Sequence, residues 1–500
     1  MVCITNIQDS MVRLPPFAEI SYKTSETKSF YSGIDFKKDK AWVGPVRKMN
    51  GAGNNEDRSY VYGLYPSLPY WTDPVMYQTS GDFSISLTPG KWRISIEHGN
   101  EYVPISETFD VVASSASMSK NFVLKRWINL PALGWYSGDV HVHHPTTKSQ
   151  FKDFLLEYAK AEDVHLVNVL EMGHHLGTDF KQEGFGEKFR TCKGNICLVS
   201  GQEDPRSQYG HIIGLNIKQM VRDTSTYDYY DLVFKQLHLQ KGAIVGYAHF
   251  AWNGCDLPKG FPWYVTTQQI DFVELLQFTK LNTLDYYDYL NLGFHITAAA
   301  GSDVPWGSTL GEVRTYVYTG KDFSADNWFS GLKAGHTFVS NGPSLLLSAD
   351  GKLPGTEIIK QKGSKIELKL KANSNAAIGK ITRVAIYNND GMIGEKMNLV
   401  GSDVVDLSID HSLQKSEWIA AVVYCDNGAV AHTTPVYVIV DGKPTWDVKK
   451  GPEIINTQLN GIKKIEQEEN EKVNPDQGIL ERLHNARQFY NNLLSEMNRR

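Results

Sequence analysis

Between Trp135 and about Val339 the chain repeats one texture, a short apolar run followed by a turn and a helical stretch. The runs are Leu166–Leu170, Ile196–Val199, Ala243–Val245, Phe272–Leu276 and Ile296–Ala300. Helical spacing fills Ser149–Ala161 and Tyr227–Leu239. Strands that are largely apolar on both alternating faces must be covered on both sides, which predicts a parallel sheet packed between helices. For a segment of about 200 residues the expected arrangement is a closed or nearly closed α/β barrel of the distorted TIM type.

The flanks read differently. Within residues 1–128, Phe83–Leu87 and Trp92–Ile96 alternate around Pro89-Gly90, which predicts an antiparallel hairpin, and Phe109–Val112 adds a strand. This end is expected to be a β-sandwich-like domain, with the barrel at 129–344. Residues 345–445 alternate again in Lys365–Lys371, Val384–Tyr387 and Val436–Val440, with a turn at Asn388–Gly391, and predict a second β-sandwich of immunoglobulin-like size. Residues 446–500 begin as a linker or solvated helix face, with lysines and glutamates mixed between Lys463 and Lys472. They end in an amphipathic helix whose apolar side carries Ile479, Leu480, Leu483, Ala486, Phe489, Tyr490, Leu493, Leu494 and Met497. That helix is expected to dock on its own barrel, with an oligomer through the same face as the alternative.

Composition excludes several classes. A net charge of −5 offers no broad basic surface, so no nucleic acid is expected as partner. No run reaches the ~18 apolar residues of a membrane span. The start Met1–Thr5 lacks the basic, then apolar, character of a secretion signal. The compartment stays open: cytoplasmic as the chain stands, periplasmic or secreted where a signal has been trimmed. Of five cysteines, Cys192 and Cys197 are close enough to bridge, but two free thiols are the expected state.

Nine of the fifteen histidines fall between His141 and His249. In Gly138–His144, His141 and His143 alternate with Val140 and Val142, so on a strand both imidazoles share one face, about 7 Å apart, and can chelate a divalent cation. The other candidates stand at carboxyl ends of predicted strands, where barrel sites collect: Glu171, Glu203, His249 and Asp303, with His211 opening a further short strand. Imidazole and carboxylate suit Zn, Mn or Fe, and the absence of cysteine argues against a closed structural zinc site. His174 and His175 bind metal or face solvent, His144 orients its neighbours, and His165, His238 and His295 are set aside as structural. Glu274, inside a strand, supports a ligand or faces substrate. Arg206 and Arg314 are candidates to hold an anionic or carbonyl oxygen, Arg314 equally a structural ion pair. Trp252, Trp263, Tyr264 and Trp306 are placed on the rim of a pocket.

The strings Tyr136–His143, Gly201–Arg206, Gly210-His211, Tyr247–His249, Ala300–Asp303 and Gly311–Tyr316 together resemble the carbaryl-hydrolase (CehA/McbA) type of metallohydrolase in the polymerase-and-histidinol-phosphatase (PHP) superfamily. The resemblance spans about Trp135 to Pro343. It implies a PHP-like barrel, His141 and His143 as ligands of a first metal, Glu203 bridging two metals, His211 and His249 on the second, and Asp303 as the last-strand ligand. Where the superfamily ends in Asp-x-His this chain has Asp303-Val304-Pro305, so one or two ions are expected rather than three. The implied activity is cleavage of an ester, amide or carbamate bond of a small molecule by an activated water, with Asp303 as proton carrier and Arg314 at the reacting group. Arg206, Trp252 and Glu274 are the substrate-side candidates. The alternatives are a phosphoesterase and a catalytically silent glycan- or surface-binding protein.

Overall fold

The computed structural model describes residues 2–6, 42–47, 75–79, 89–113, 118–250, 260–306, 309–320 and 322–499. The histidine-rich part is built on strands β1 (Trp135–Val142), β2 (Leu166–His174), β3 (Ile196–Ser207), β4 (Gly210–Leu215), β5 (Ile244–Tyr247), β6 (Phe272–Gln277), β7 (Thr297–Ala300), β8 (Arg314–Tyr318) and β9 (Thr337–Ser340). Its longer helices are α1 (Ser149–Ala161), α2 (Tyr230–His238), α3 (Thr283–Asn291) and α4 (Ala325–Lys333). Tyr230, Val233, Phe234 and Leu237 of α2 are buried at helical spacing, which is why this stretch packs as a helix.

The expected α/β barrel does not form; the sheet is mixed and β-rich. Parallel pairing joins β1 to β2, β2 to β3, β5 to β6 and β6 to β7. Antiparallel pairing joins β3 to β4, β4 to β5, β8 to β1 and β8 to β9. Among the described residues no ladder joins β7 to β8. Thr315 links them instead, its Oγ1 accepting from the Ala300 N–H at 2.7 Å and donating to the Ala300 carbonyl at 3.0 Å. The error has a physical source. A strand buried on both faces is apolar throughout whether its neighbours run parallel or antiparallel. The two residues between β3 and β4, Gln208 and Tyr209, are far too few for the crossover of about a dozen residues that a parallel pair needs.

The N-terminal region is described as one antiparallel five-stranded sheet, in the order Trp42–Arg47, Val75–Thr79, Val2–Asn6, Gly90–Ile96, Ile105–Val111. The expected hairpin partner Phe83–Leu87 lies outside the described residues; Gly90–Ile96 pairs with Val2–Asn6 and Ile105–Val111. At the other end, two sheets enclose a core of Leu347, Ile366, Leu368, Val384, Ile386, Ile419 and Val423. Its strand Val430–Thr433 pairs antiparallel with β9, so the C-terminal sheet continues the central one.

The expected linker is mostly helical, as α5 (Gly451–Asn470), and α6 (Gln477–Asn498) follows. Asp476 caps α6, its carboxylate accepting from the Gly478 and Ile479 N–H groups. Ile479, Leu483, Ala486, Tyr490, Leu493 and Met497 are buried in one core with residues of β5 and β6. Tyr490 donates to the Pro262 carbonyl at 2.6 Å, and Arg482 pairs with Asp231 of α2. The apolar face of α6 is thus covered within the chain. No described helix is long and apolar enough to cross a membrane. Cys192 and Cys197, expected as free thiols, are joined in a disulfide, because Thr191–Lys193 folds back on β3 and sets the two residues opposite each other.

Candidate metal centre

The Val-His alternation of β1 works as read. Val140 and Val142 enter apolar cores on one side, and His141 and His143 are fully buried on the other. Each imidazole is then fixed through its second nitrogen. His141 Nδ1–H donates to Glu274 Oε1 at 2.8 Å, His143 Nδ1–H to the Leu170 carbonyl at 3.1 Å, and His249 Nδ1–H to Gln277 Oε1 at 2.9 Å. With Nδ1 donating in all three, Nε2 is the atom each ring turns to the cluster, and it carries a lone pair whenever the ring is neutral.

Those lone pairs converge with carboxylate oxygens. His141 Nε2 lies 3.0 Å from His143 Nε2, 3.3 Å from Asp303 Oδ1 and 3.4 Å from Glu203 Oε1. His143 Nε2 lies 3.3 Å from Glu203 Oε2 and 3.5 Å from Asp303 Oδ1. On the other side of Glu203, Oε1 is 2.8 Å from His211 Nδ1 and 3.4 Å from His249 Nε2, which are 2.9 Å from each other. Lone pairs aimed at one another at such range repel unless a proton or cation lies between them. Ligand atoms about 2.1 Å from one ion stand about 3.0–3.4 Å apart in octahedral or tetrahedral arrangements. The donor set therefore fits a divalent metal. His141, His143 and Asp303 form one group that could hold an ion, and His141, Glu203 and His249 another. Glu203 Oε1 thus meets His141, His211 and His249, while Oε2 meets His143 and Arg206.

The charges are strongly coupled. Burial raises the pKa of Glu203, but Arg206, His211 and His141 outweigh it and hold the carboxyl well below its usual range. Burial lowers that of His141, yet Glu274, Asp303 and Glu203 hold it well above the ordinary imidazole value. His211 is pushed down to about 4 by burial, and burial lifts Asp303 in spite of its imidazole neighbours. Arg206 Nε sits 2.7 Å from Glu203 Oε2.

Asp303 reaches the cluster from a turn that Asp139 ties down. The buried Asp139 carboxylate accepts from the N–H groups of His141, Ser302 and Gly311 at 3.1, 2.9 and 2.9 Å. Burial, resisted by these bonds, lifts its pKa to about 6. The turn is crowded: a Cβ on Gly301 would stand 2.4 Å from Glu274 Oε1 and 2.5 Å from His141 Cβ, so only glycine fits. His249 and Asp303 both hold left-handed backbone, at φ 60° and 53°, strain of the kind that structures keep where a side chain must be aimed.

Other expected residues stand elsewhere. Glu171 pairs in register with Gln202, one residue out of phase with Glu203, so it shares the opposite face of the sheet. Its oxygens accept from Thr178 Oγ1 at 2.7 Å and the Gln182 N–H at 2.9 Å, tying a hairpin rather than an ion. Arg314 is not at the cluster. It is buried, donating to the carbonyls of Gly311 at 2.7 Å, Glu162 at 2.6 Å and Asp163 at 3.3 Å, and it holds the segment between α1 and β2. Glu274 is a holder of His141 and of the His249 N–H at 2.8 Å, not a group facing substrate. Trp252 lies outside the described residues. His165 is buried beside Ser137 as expected, and His175 lies beside the cluster in a cleft with Arg206 and His211. Sequence reading missed Gln277, whose only signal is its place three residues after Glu274 on β6, and the anchoring role of Asp139.

No protein-family model matches the chain, and no curated protein matches it. Solved structures match in part. The fibronectin(III)-like modules of CbhA from Clostridium thermocellum are 16% identical over 20% of this chain and 98% of theirs, at TM-score 0.15. A lesion-specific endonuclease from Pyrococcus furiosus is 13% identical over 40% of this chain and 56% of its own, at TM-score 0.27. The CARDB domain of a Pyrococcus furiosus protein, solved with two metal ions, is 19% identical over 19% of this chain and 89% of its own, at TM-score 0.15. All three TM-scores are too low to assign a fold or a function.

Proposed function

We propose that this chain is a metal-dependent hydrolase acting on an ester, amide or carbamate bond of a small molecule, with a site akin to the carbaryl-hydrolase type. The observation that carries the reading is the convergence of three Nε2 atoms, each with Nδ1 already engaged, on the two oxygens of a buried glutamate. His141, His143 and Asp303 would hold one ion, His211 and His249 a second, with Glu203 between them. One or two Zn, Mn or Fe ions would supply Lewis acidity and lower the pKa of a bound water from 15.7 to about 7. Glu274, Leu170 and Gln277 fix the tautomers and aim the rings, and Arg206 keeps Glu203 ionised. Asp303, lifted by burial, is suited to take a proton from water and return it to the leaving group. With Arg314 engaged elsewhere, Arg206 alone of the two arginines remains near the site, and this favours an acyl substrate over a phosphoester.

The test is metal analysis of purified protein followed by a screen of chromogenic esters, carbamates and phosphoesters. One to two equivalents of transition metal, and chelator-sensitive cleavage of an acyl substrate, are expected. Metal content near zero after growth with Zn and Mn would overturn the proposal.

A further inference from the structure

Three imidazoles at the metal cluster are aimed through their second nitrogen: His141, His143 and His249 are held at Nδ1 by Glu274, the Leu170 carbonyl and Gln277. His211 is different. It turns Nδ1 to Glu203 and His249, and among the described residues its Nε2 meets no partner. A ligand ring that no second bond orients must be placed by its own backbone. That backbone opens β4 just after the turn Gln208-Tyr209, where Ser207 pairs with Gly210 and Arg206 with His211. Arg206 has its own holds, its N–H donating to Tyr227 Oη at 3.0 Å and its Nε lying 2.7 Å from Glu203 Oε2.

The turn is fastened from the far end of the chain. Tyr209 is buried, and its hydroxyl donates to Glu469 Oε2 at 3.2 Å, 260 positions away near the end of α5. Glu469 is buried as well, and it also accepts from the Asp476 N–H at 2.9 Å and from Lys472 Nζ at 2.6 Å. Packing alone would be served by an apolar side chain at less cost. A buried carboxylate with donors from both sides fixes where those donors lie, here the β3–β4 turn and the link between α5 and α6. A second bond seats the same link nearby, Tyr229 Oη donating to Asp476 Oδ1 at 2.6 Å. We propose that Glu469 is a positioning residue. Through Tyr209 it sets His211, and with it the affinity of the metal position that His211 shares with His249. The position of His141, His143 and Asp303 does not depend on it. The inference rests on the metal-centre reading of the proposed hydrolase, but it is measured without turnover.

The experiment is titration of the Zn-loaded protein with a chromogenic chelator, which removes bound ions in successive steps. His211→Ala identifies the step that His211 serves. Tyr209→Phe keeps the ring, which packs against Trp263 with centroids 5.2 Å apart, and removes only the hydroxyl. Tyr209→Phe and Glu469→Ala are expected to weaken the His211 step by about 10-fold, the low end of the range for groups that orient a ligand, and to leave the other step unchanged. Glu469→Gln, which keeps an acceptor oxygen, should lose less than Glu469→Ala. In a His211→Ala background Tyr209→Phe should have no further effect on metal release, because the side chain it acts through is gone. A single step in the wild type, equal weakening of both steps, or a Tyr209→Phe loss that persists in the His211→Ala background overturns the inference. The hydrolase reading fails separately. Steps that respond as expected in a protein that cleaves none of the chromogens leave Glu469 in its role and remove the hydrolase. Chelator-sensitive cleavage with both steps unmoved by Tyr209→Phe does the reverse.

Discussion

His141 shows how little of a metal ligand's quality is carried by the ligand alone. Its Nε2 is aimed because Nδ1 is held by Glu274, a residue 133 positions away on another strand. Glu274→Gln keeps the shape, but the amide is a weaker acceptor, and metal affinity is expected to fall by about 10- to 100-fold, the usual cost of losing a ligand's supporting carboxylate. Competition with a chromogenic chelator reads this directly; an unchanged affinity would show that Glu274 is only a packing group. Asp303 calls for a different measurement, since it can ligate, carry a proton, or both. Asp303→Asn retains an oxygen donor and loses the base, so turnover should drop by about 10²–10⁴ with metal content closer to wild type than in His141→Ala. Normal turnover at full metal content would remove Asp303 from the chemistry.

At the scale of elements, α6 tests whether the C-terminal helix is a structural part of the metal-bearing region. Leu483 is buried without residual exposure in the core shared with β5 and β6. Leu483→Ala should cost about 2–5 kcal/mol by the loss of burial and the cavity left behind, read by denaturant unfolding. A cost near zero would mean that α6 undocks readily. The apolar side of this helix was legible because a 3.6-residue period is a local signal. So were the His-x-His face of β1 and the places of His249 and Asp303 just past β5 and β7, whereas Glu203 lies inside β3 and not at its carboxyl end. What the sequence hid was phase and partnership. Glu171 and Glu203 both follow apolar runs, and only the register of β2 against β3 shows that they face opposite ways. Arg314 sits among residues of a familiar motif, yet two of the three carbonyls it binds lie some 150 positions earlier. The strand directions were hidden for a related reason: apolar runs report burial and not which way the neighbour runs.

Across the whole molecule, the join between the central and C-terminal sheets contains a titratable group. His432 pairs with Val339 of β9 on one side and with Val422 on the other, so it sits where the two sheets become one. It is wholly buried and satisfied as a neutral ring, Nδ1–H donating to the Thr433 carbonyl at 2.6 Å and Nε2 accepting from Tyr287 at 2.8 Å. Burial pushes its pKa from 6.5 to about 4. Because the folded value is below the unfolded one, the unfolded chain binds the proton first as pH falls. The stability that the neutral ring contributes is therefore complete above about pH 6.5 and is lost progressively toward pH 4. Between pH 7.5 and 5 this one group should remove about 2 kcal/mol, at about 1.4 kcal/mol for each effective pKa unit. His432→Gln cannot titrate. It is expected to be less stable than wild type at pH 7.5, where the bond to Tyr287 is altered, but to lose less on acidification. The measurement is the unfolding free energy of both proteins across pH 5–7.5, taken as a difference so that the metal cluster and the other buried histidines cancel. Equal pH slopes would show that His432 takes up its proton without cost, and that the join between the sheets does not set the protein's acid limit.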